Sequence, residues 1–400
     1  MADRWETLLM DKTTAGQGPL SGYRIIDLSE NMAGPFGTMV LADQGADVIK
    51  VESLRGDALR HTGSGSRAMG AYFANLNRSK RSVAVDLQRP ESRKVLDRLL
   101  EGADVVVQSF RPAAARRLGI DAATLRHDRP ALVYISIVGF GESGPLAGRP
   151  VYDHVIQAMA GMASLQADVP NGEPRLVRHG LVDKATGHVL AQSVCAALLA
   201  RARTGVGDAL TIAMLDVALH FFWPDAMMDK TALDPEVRLP PVSESFRLTP
   251  TADGHIALVV LTDQQWTGLA TSVNVDGSSM RRGDLLRAVK AHLAGMSTAD
   301  ALELLQVHDV ACGPVVTQDE VHALPQVLAN ETLVLYDHPA IGMLRQPAPV
   351  PRFDGVDPVA LRPAPLLGEH TLEVLAEVGM DPVEVQALQD AGVVYWPVAR

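Results

Sequence analysis

Between residues 24 and 137 the chain alternates short runs rich in β-branched residues with stretches of helical pattern. The apolar runs fall at 24–28, 47–51, 104–108 and 131–137, and helix candidates lie at 35–44 and 90–100. Both candidates are punctuated as helices: Gly45 closes the first, Pro90 opens the second and Gly102 lies beyond its end. Strands separated by helices cannot pair as hairpins and instead cross over into a parallel sheet. A doubly wound α/β domain is the expectation, and a further strand at 209–213 follows the turn Thr204-Gly205-Val206-Gly207.

One stretch inside this region concentrates the chemistry. Gly180-Leu181-Val182-Asp183-Lys184-Ala185-Thr186-Gly187 sets a carboxylate at the mouth of an almost wholly apolar helix over 185–203. Such a helix is buried on all sides. An Asp at that place ordinarily caps free N–H groups and gains from the positive end of the helix dipole, and taken alone the stretch favours that role over a chemical one.

Beyond it, residues 214–228 are helical in pattern up to Pro224, and 229–245 are rich in proline and charge, as a linker is. A hairpin turning at Asp253-Gly254 opens a smaller α+β domain, and a proline-dense, extended tail at 338–365 precedes two last helices at 371–378 and 382–391. A second helix is expected over 151–166, with a loop from 167 to 179. The letters of a dinucleotide fingerprint occur at Gly63-Ser64-Gly65-Ser66-Arg67-Ala68, but not in the turn after the first strand, where its glycines work; a loop is the better reading.

Composition narrows the function. A net charge of −11 and an aromatic content of 4% argue against nucleic-acid and anionic-membrane surfaces. The charged N-terminus and the lack of a long uncharged apolar run point to a cytoplasmic protein, and two cysteines in apolar segments suit a reducing compartment. No paired-ligand spacing suggests a metal, and His154, His179 and His188 read as ordinary polar residues.

Several motifs occur in a telling order: Leu20-Ser21-Gly22, Ala33-Gly34-Pro35-Phe36, Gly45-Ala46-Asp47-Val48-Ile49-Lys50-Val51-Glu52, Asn77-Arg78-Ser79-Lys80-Arg81-Ser82, the turn from Gly139 to Pro145, Cys312-Gly313-Pro314-Val315 and Leu367-Gly368-Glu369-His370-Thr371. Over residues 20–395 the chain resembles the class III CoA-transferases, a family that includes 2-methylacyl-CoA racemases. The resemblance implies a Rossmann-like large domain with a parallel sheet, built from residues 1–228 and a return segment at 338–400. A linker and small α+β domain at 229–337 would lie between them, and two chains would thread into an interlocked homodimer. It also implies acyl-CoA and carboxylic acid substrates, coenzyme A arriving as acyl-CoA, and no permanently bound cofactor.

The family's nucleophilic Asp falls on Asp183. CoA contacts fall on Asn31, Lys80, Arg81, Ser109, Phe110 and Arg117, and substrate contacts on Met32, Tyr152 and Asp153. Met32 stands where formyl-CoA transferases carry a Gln, and the stretch 239–245 lacks their glycine run. Structural roles stay open beside these: solvated charge for Lys80, Arg81 and Arg117, a core aromatic for Tyr152, a helix-end carboxylate for Asp153. Transfer of CoA leads. Racemisation by α-proton exchange and a silent acyl-CoA binder are the alternatives; the family's racemases carry a His where this chain has Tyr152, a much weaker base at neutral pH.

Overall fold

The computed structural model describes residues 18–66, 68–167, 172–239, 246–276, 280–350, 352–354 and 362–397. It divides into two compact units, one of Met1–Pro224 with Leu333–Arg400 and one of Asp225–Thr332. The first part of the large unit runs β1 (Arg24–Asp27), α1 (Ala33–Asp43), β2 (Asp47–Glu52), α2 (Ala71–Asn77), β3 (Arg81–Val85), α3 (Ser92–Glu101), β4 (Val105–Gln108), α4 (Pro112–Leu118) and β5 (Val133–Val138). It continues through α5 (Asp153–Met159), α6 (Leu181–Thr204), β6 (Ala209–Ala213) and α7 (Met214–Ala226).

Six of these strands pair in parallel in the order β3-β2-β1-β4-β5-β6. Buried on both faces, β3 and β5 are apolar or small along nearly their whole length, as a sheet sandwiched by helices requires. The strand order reverses between β1 and β4. In an open α/β sheet a crevice forms at that point, beyond the carboxyl ends of the strands, and the loops that leave β1 and β4 form its lip.

The smaller unit holds a three-stranded antiparallel sheet, β7 (Thr249–Pro250), β8 (His255–Val259) and β9 (Ala311–Pro314). Its helices α8 (Asp263–Ser272), α9 (Arg282–Leu293) and α10 (Thr298–Val307) bury Leu269, Leu285, Val289 and Leu305 against Ile256. The chain then returns to the large unit. There β10 (Leu333–His338) and β11 (Gly342–Pro347) form a hairpin, α11 (Thr371–Glu377) and α12 (Pro382–Asp390) follow, and β12 (Val394–Tyr395) pairs antiparallel with the outer edge of β3. Thr371 ties this return to the sheet: its hydroxyl accepts the Ala84 N–H at 3.1 Å and donates to the Tyr395 carbonyl at 2.8 Å.

Several details differ from the sequence expectation. β3 and α2 were not foreseen, and the tail carries the β10–β11 hairpin where an extended run was expected. The helix expected over 151–166 breaks after Ala160, where Gly161 is left-handed. α6 begins four residues earlier than expected, so Asp183 lies within its first turn instead of ahead of it, and the helix is buried on one face and not on all sides: His188, Gln192, Ala196, Leu199 and Ala200 are exposed. Of the stretch where the family's glycine run would fall, residues 240–245 lie outside the described residues, as does Arg67 of the fingerprint-like loop.

Candidate active site

Two helices cross almost backbone to backbone to set the site. A Cβ placed on Gly37 of α1 would lie 2.6 Å from the Gly187 carbonyl oxygen, and one placed on Gly187 of α6 would lie 2.8 Å from the Ala33 carbonyl oxygen. Only glycine at both positions permits that approach. The crossing brings the first turn of α6 beside the loop that leaves β1 at the switch point.

At that turn the N-cap residue, Gly180, has no side chain to offer. The missing acceptor comes from α5, where the buried Asp153 takes the Asp183 N–H on its Oδ2 at 2.9 Å. Asp183 does not cap the helix; among the described residues its carboxylate receives no hydrogen bond, and it lines a cavity of about 590 Å3. Burial, reinforced by the Asp153 charge and opposed by Lys184, pushes the Asp183 carboxyl up to about 7. The helix's positive end faces any charge formed here.

Met32 lies behind this turn. A Cβ on Gly180 would come 2.6 Å from the Met32 sulfur and 3.5 Å from Asp183 Oδ2, so the glycine leaves room for a thioether next to the carboxylate. The Tyr72 hydroxyl, from α2, reaches the same sulfur at 3.9 Å. Burial and the charges of Asp183 and Asp153 raise the Tyr72 phenol above its ordinary value, so it stays a protonated donor. Sequence reading did not single out Tyr72; no pattern around it distinguishes a site phenol from a core one.

The cavity collects much of what the sequence proposed and omits a part. Asn31, Ser109, Phe110, Arg117 and Tyr152 line it together with Asp183. The two switch-point loops are joined there, the Glu30 N–H donating to Ser109 Oγ at 3.0 Å. Arg111 and Arg149, which the sequence reading passed over, line it too. Arg111, Arg117 and Arg149 are exposed, and none of the three pairs with a carboxylate among the described residues. Met32 and Asp153 lie buried next to the Asp183 turn and are not cavity walls.

Lys80 and Arg81 are placed elsewhere, which corrects the expectation that they face CoA. The Lys80 ammonium is fully buried and donates to Asp27 Oδ2 at 3.0 Å, the Pro35 carbonyl at 2.9 Å and Asn77 Oδ1 at 2.8 Å. Those three acceptors use every proton an ammonium has. Arg81 bridges Asp47, Glu373 and Glu377 at 2.7–2.8 Å, binding α11 to the start of β2 and β3. Lys80 supports the site from behind: Asp27 also accepts from Thr38 of α1 at 2.7 Å and, through Oδ1, from both the backbone N–H and the hydroxyl of Ser29 in the β1–α1 loop.

With the geometry in place, comparison with known proteins defines the class. The family model for CoA-transferase family III matches residues 20–371, and the chain belongs to that family and is an enzyme of that class. It is 33% identical over 391 residues to a probable fatty acyl-CoA transferase of Mycobacterium tuberculosis, covering 90% of this chain and 98% of that one. It is 32% identical to the succinate–glutarate CoA-transferase of Agrobacterium fabrum, over 90% of this chain and 96% of the relative. A crystal structure of the mycobacterial protein superposes with a TM-score of 0.77 at 31% identity, covering 88% of this chain and 98% of the other. Among the described residues no helix is long and apolar enough to cross a membrane, and no cluster of ligands could hold a metal.

Proposed function

We propose that the protein moves CoA from an acyl-CoA thioester to a free carboxylic acid through covalent intermediates on Asp183. The observation that carries this reading is a carboxylate without a hydrogen-bond partner among the described residues, standing in a cavity at the positive end of a long helix. Ionised Asp183 attacks the thioester carbonyl; the C–S bond breaks, leaving a mixed anhydride and CoA thiolate. The thiolate attacks the Asp183 γ-carbonyl, the donor acid leaves as carboxylate, and an aspartyl-CoA thioester remains. The acceptor carboxylate then attacks that thioester, and returning thiolate cleaves the second anhydride, releasing new acyl-CoA and regenerating Asp183. Carboxylate is exchanged for carboxylate, so no net proton moves and no acid–base pair is needed.

Each tetrahedral intermediate carries an oxyanion. Among the described residues the Tyr72 hydroxyl and the α6 dipole are stabilising groups near Asp183. Arg111, Arg117 and Arg149 supply cations for CoA phosphates within a protein whose net charge is −11, with Ser109, Phe110 and Asn31 beside them. The interlocked homodimer is part of this reading, and the exposed Leu199 of α6 and Phe221 of α7 support a partner there.

The experiment is a panel of acyl-CoAs incubated with purified protein and assorted free carboxylates, read by mass spectrometry, with heavy water in parallel. Transfer of CoA to a free acid is the expected result. Rapid deuterium incorporation at the α-carbon of a 2-methylacyl-CoA, without transfer, would replace this reading with racemisation.

A further inference from the structure

Gln157 ends its side chain where three pieces of the site meet. It lies on α5 one turn beyond Asp153 and is fully buried. Its Oε1 accepts the Val177 N–H at 2.9 Å, which fixes the orientation of the amide. The nitrogen therefore faces three acceptors: Asp153 Oδ1 at 2.5 Å, the His179 carbonyl at 3.2 Å and the Val177 carbonyl at 3.3 Å. One amide thus clamps the segment that enters α6 to the carboxylate whose other oxygen takes the Asp183 N–H.

We propose that Gln157 is a positioning residue for the nucleophile, holding Asp153 and residues 177–179 so that Asp183 presents its carboxylate to the cavity in one place and one electrostatic setting. This rests on the reading of Asp183 as nucleophile. A neutral amide suits the task because it gives donors to a carboxylate and an acceptor to a backbone N–H at once. A glutamate of the same shape sets a second carboxylate against Asp153 and two carbonyl oxygens, while an apolar residue leaves buried polar groups unpaired. Among the described residues the charged and titratable groups that face Asp183 are Asp153 on α5, Tyr72 on α2, Lys184 on its own helix, and Glu30, Tyr152, Arg111, Arg117 and Arg149 around the cavity. Gln157 acts through the first of them.

The test reads Asp183 directly. Full-length protein labelled with 13C at the aspartate carboxyls is titrated by NMR, the Asp183 signal being assigned by its loss in Asp183→Asn. In Gln157→Glu the buried Glu carboxyl and Asp153 share one proton in place of the amide's hydrogen bond, so the charge facing Asp183 changes and its midpoint is displaced from the wild-type value. Gln157→Asn keeps the amide but ends one methylene short of Asp153; it displaces the midpoint and lowers kcat about tenfold at unchanged KM for acyl-CoA. Should Gln157→Glu fail to fold, the asparagine variant carries the test alone. A wild-type midpoint in each folded variant overturns the proposal. Full transfer activity in Asp183→Asn would instead overturn the nucleophile reading, and the titration would still judge Gln157.

Discussion

Asp153 Oδ2 accepts the backbone N–H of Asp183 at 2.9 Å, so one carboxylate caps the helix on which the other is exposed to the cavity. Burial is the main cost to the Asp183 carboxylate, and the contact, which organises the turn, adds to it by bringing a like charge close. The consequence is an acid whose ionisation falls near neutrality, where the proposed transfer would need it ionised.

The pH dependence follows from that sign. In the proposed mechanism only ionised Asp183 attacks, so kcat/KM should rise with pH through a midpoint near 7. Removing the neighbouring charge in Asp153→Asn moves the midpoint down, and steady-state rates from pH 5 to 9 measure both. A flat profile over this range in the wild type contradicts the arrangement.

Stability carries the same shift with the opposite benefit. A carboxyl raised from its unfolded value to about 7 costs nothing below pH 4, costs progressively more between 4 and 7, and holds that cost above 7. Asp183→Asn removes the charge at nearly constant shape. It should gain on the order of 2–4 kcal/mol over wild type at pH 8 and almost nothing at pH 4, measured by chemical denaturation.

The buried and exposed cations separate by experiment. Lys80→Met leaves Asp27 buried without its ammonium and costs about 3–5 kcal/mol of stability. Arg111→Gln, Arg117→Gln and Arg149→Gln leave stability nearly unchanged, weaken CoA binding by about tenfold each and flatten its salt dependence. Calorimetry of CoA binding at two ionic strengths, set beside melting curves, checks the division.

The helix crossing gives a structural control. Gly187→Val drives a side chain into the Ala33 carbonyl and the Phe36 ring, so α1 and α6 must part and the Asp183 turn moves with them. Activity falls by more than tenfold, and the protein loses several kcal/mol. Val194→Ala, further along the buried face of the same helix, lowers stability and leaves kcat nearly intact.

Much of this was legible in the residues, and the omissions have physical causes. The parallel strands and the long helix could be read because periodicity and local punctuation depend on near neighbours; those neighbours marked Asp183 only as a cap, and the family resemblance alone raised a chemical role for it. β3 was missed because Arg81-Ser82-Val83-Ala84-Val85 begins with polar residues whose burial depends on distant partners, Arg81 on Glu373 and Glu377 and Ser82 on Glu52. Lys80 and Arg81 were read as ligand contacts for the same reason: a cation paired inside the protein and one awaiting phosphate look alike in sequence. Arg111 and Arg149 acquire meaning only when the loops after β4 and β5 meet over Asp183. The capping by Asp153, thirty residues away, has no local signature at all.

The sharpest measurement traps the intermediate. With an acyl-CoA donor that the panel shows to be active, hydroxylamine added during turnover should convert one residue, Asp183, to its hydroxamate, located by peptide mass spectrometry, and Asp183→Ala should neither be modified nor transfer CoA. An adduct on another residue, or transfer at the wild-type rate by Asp183→Ala, would contradict the role assigned to Asp183.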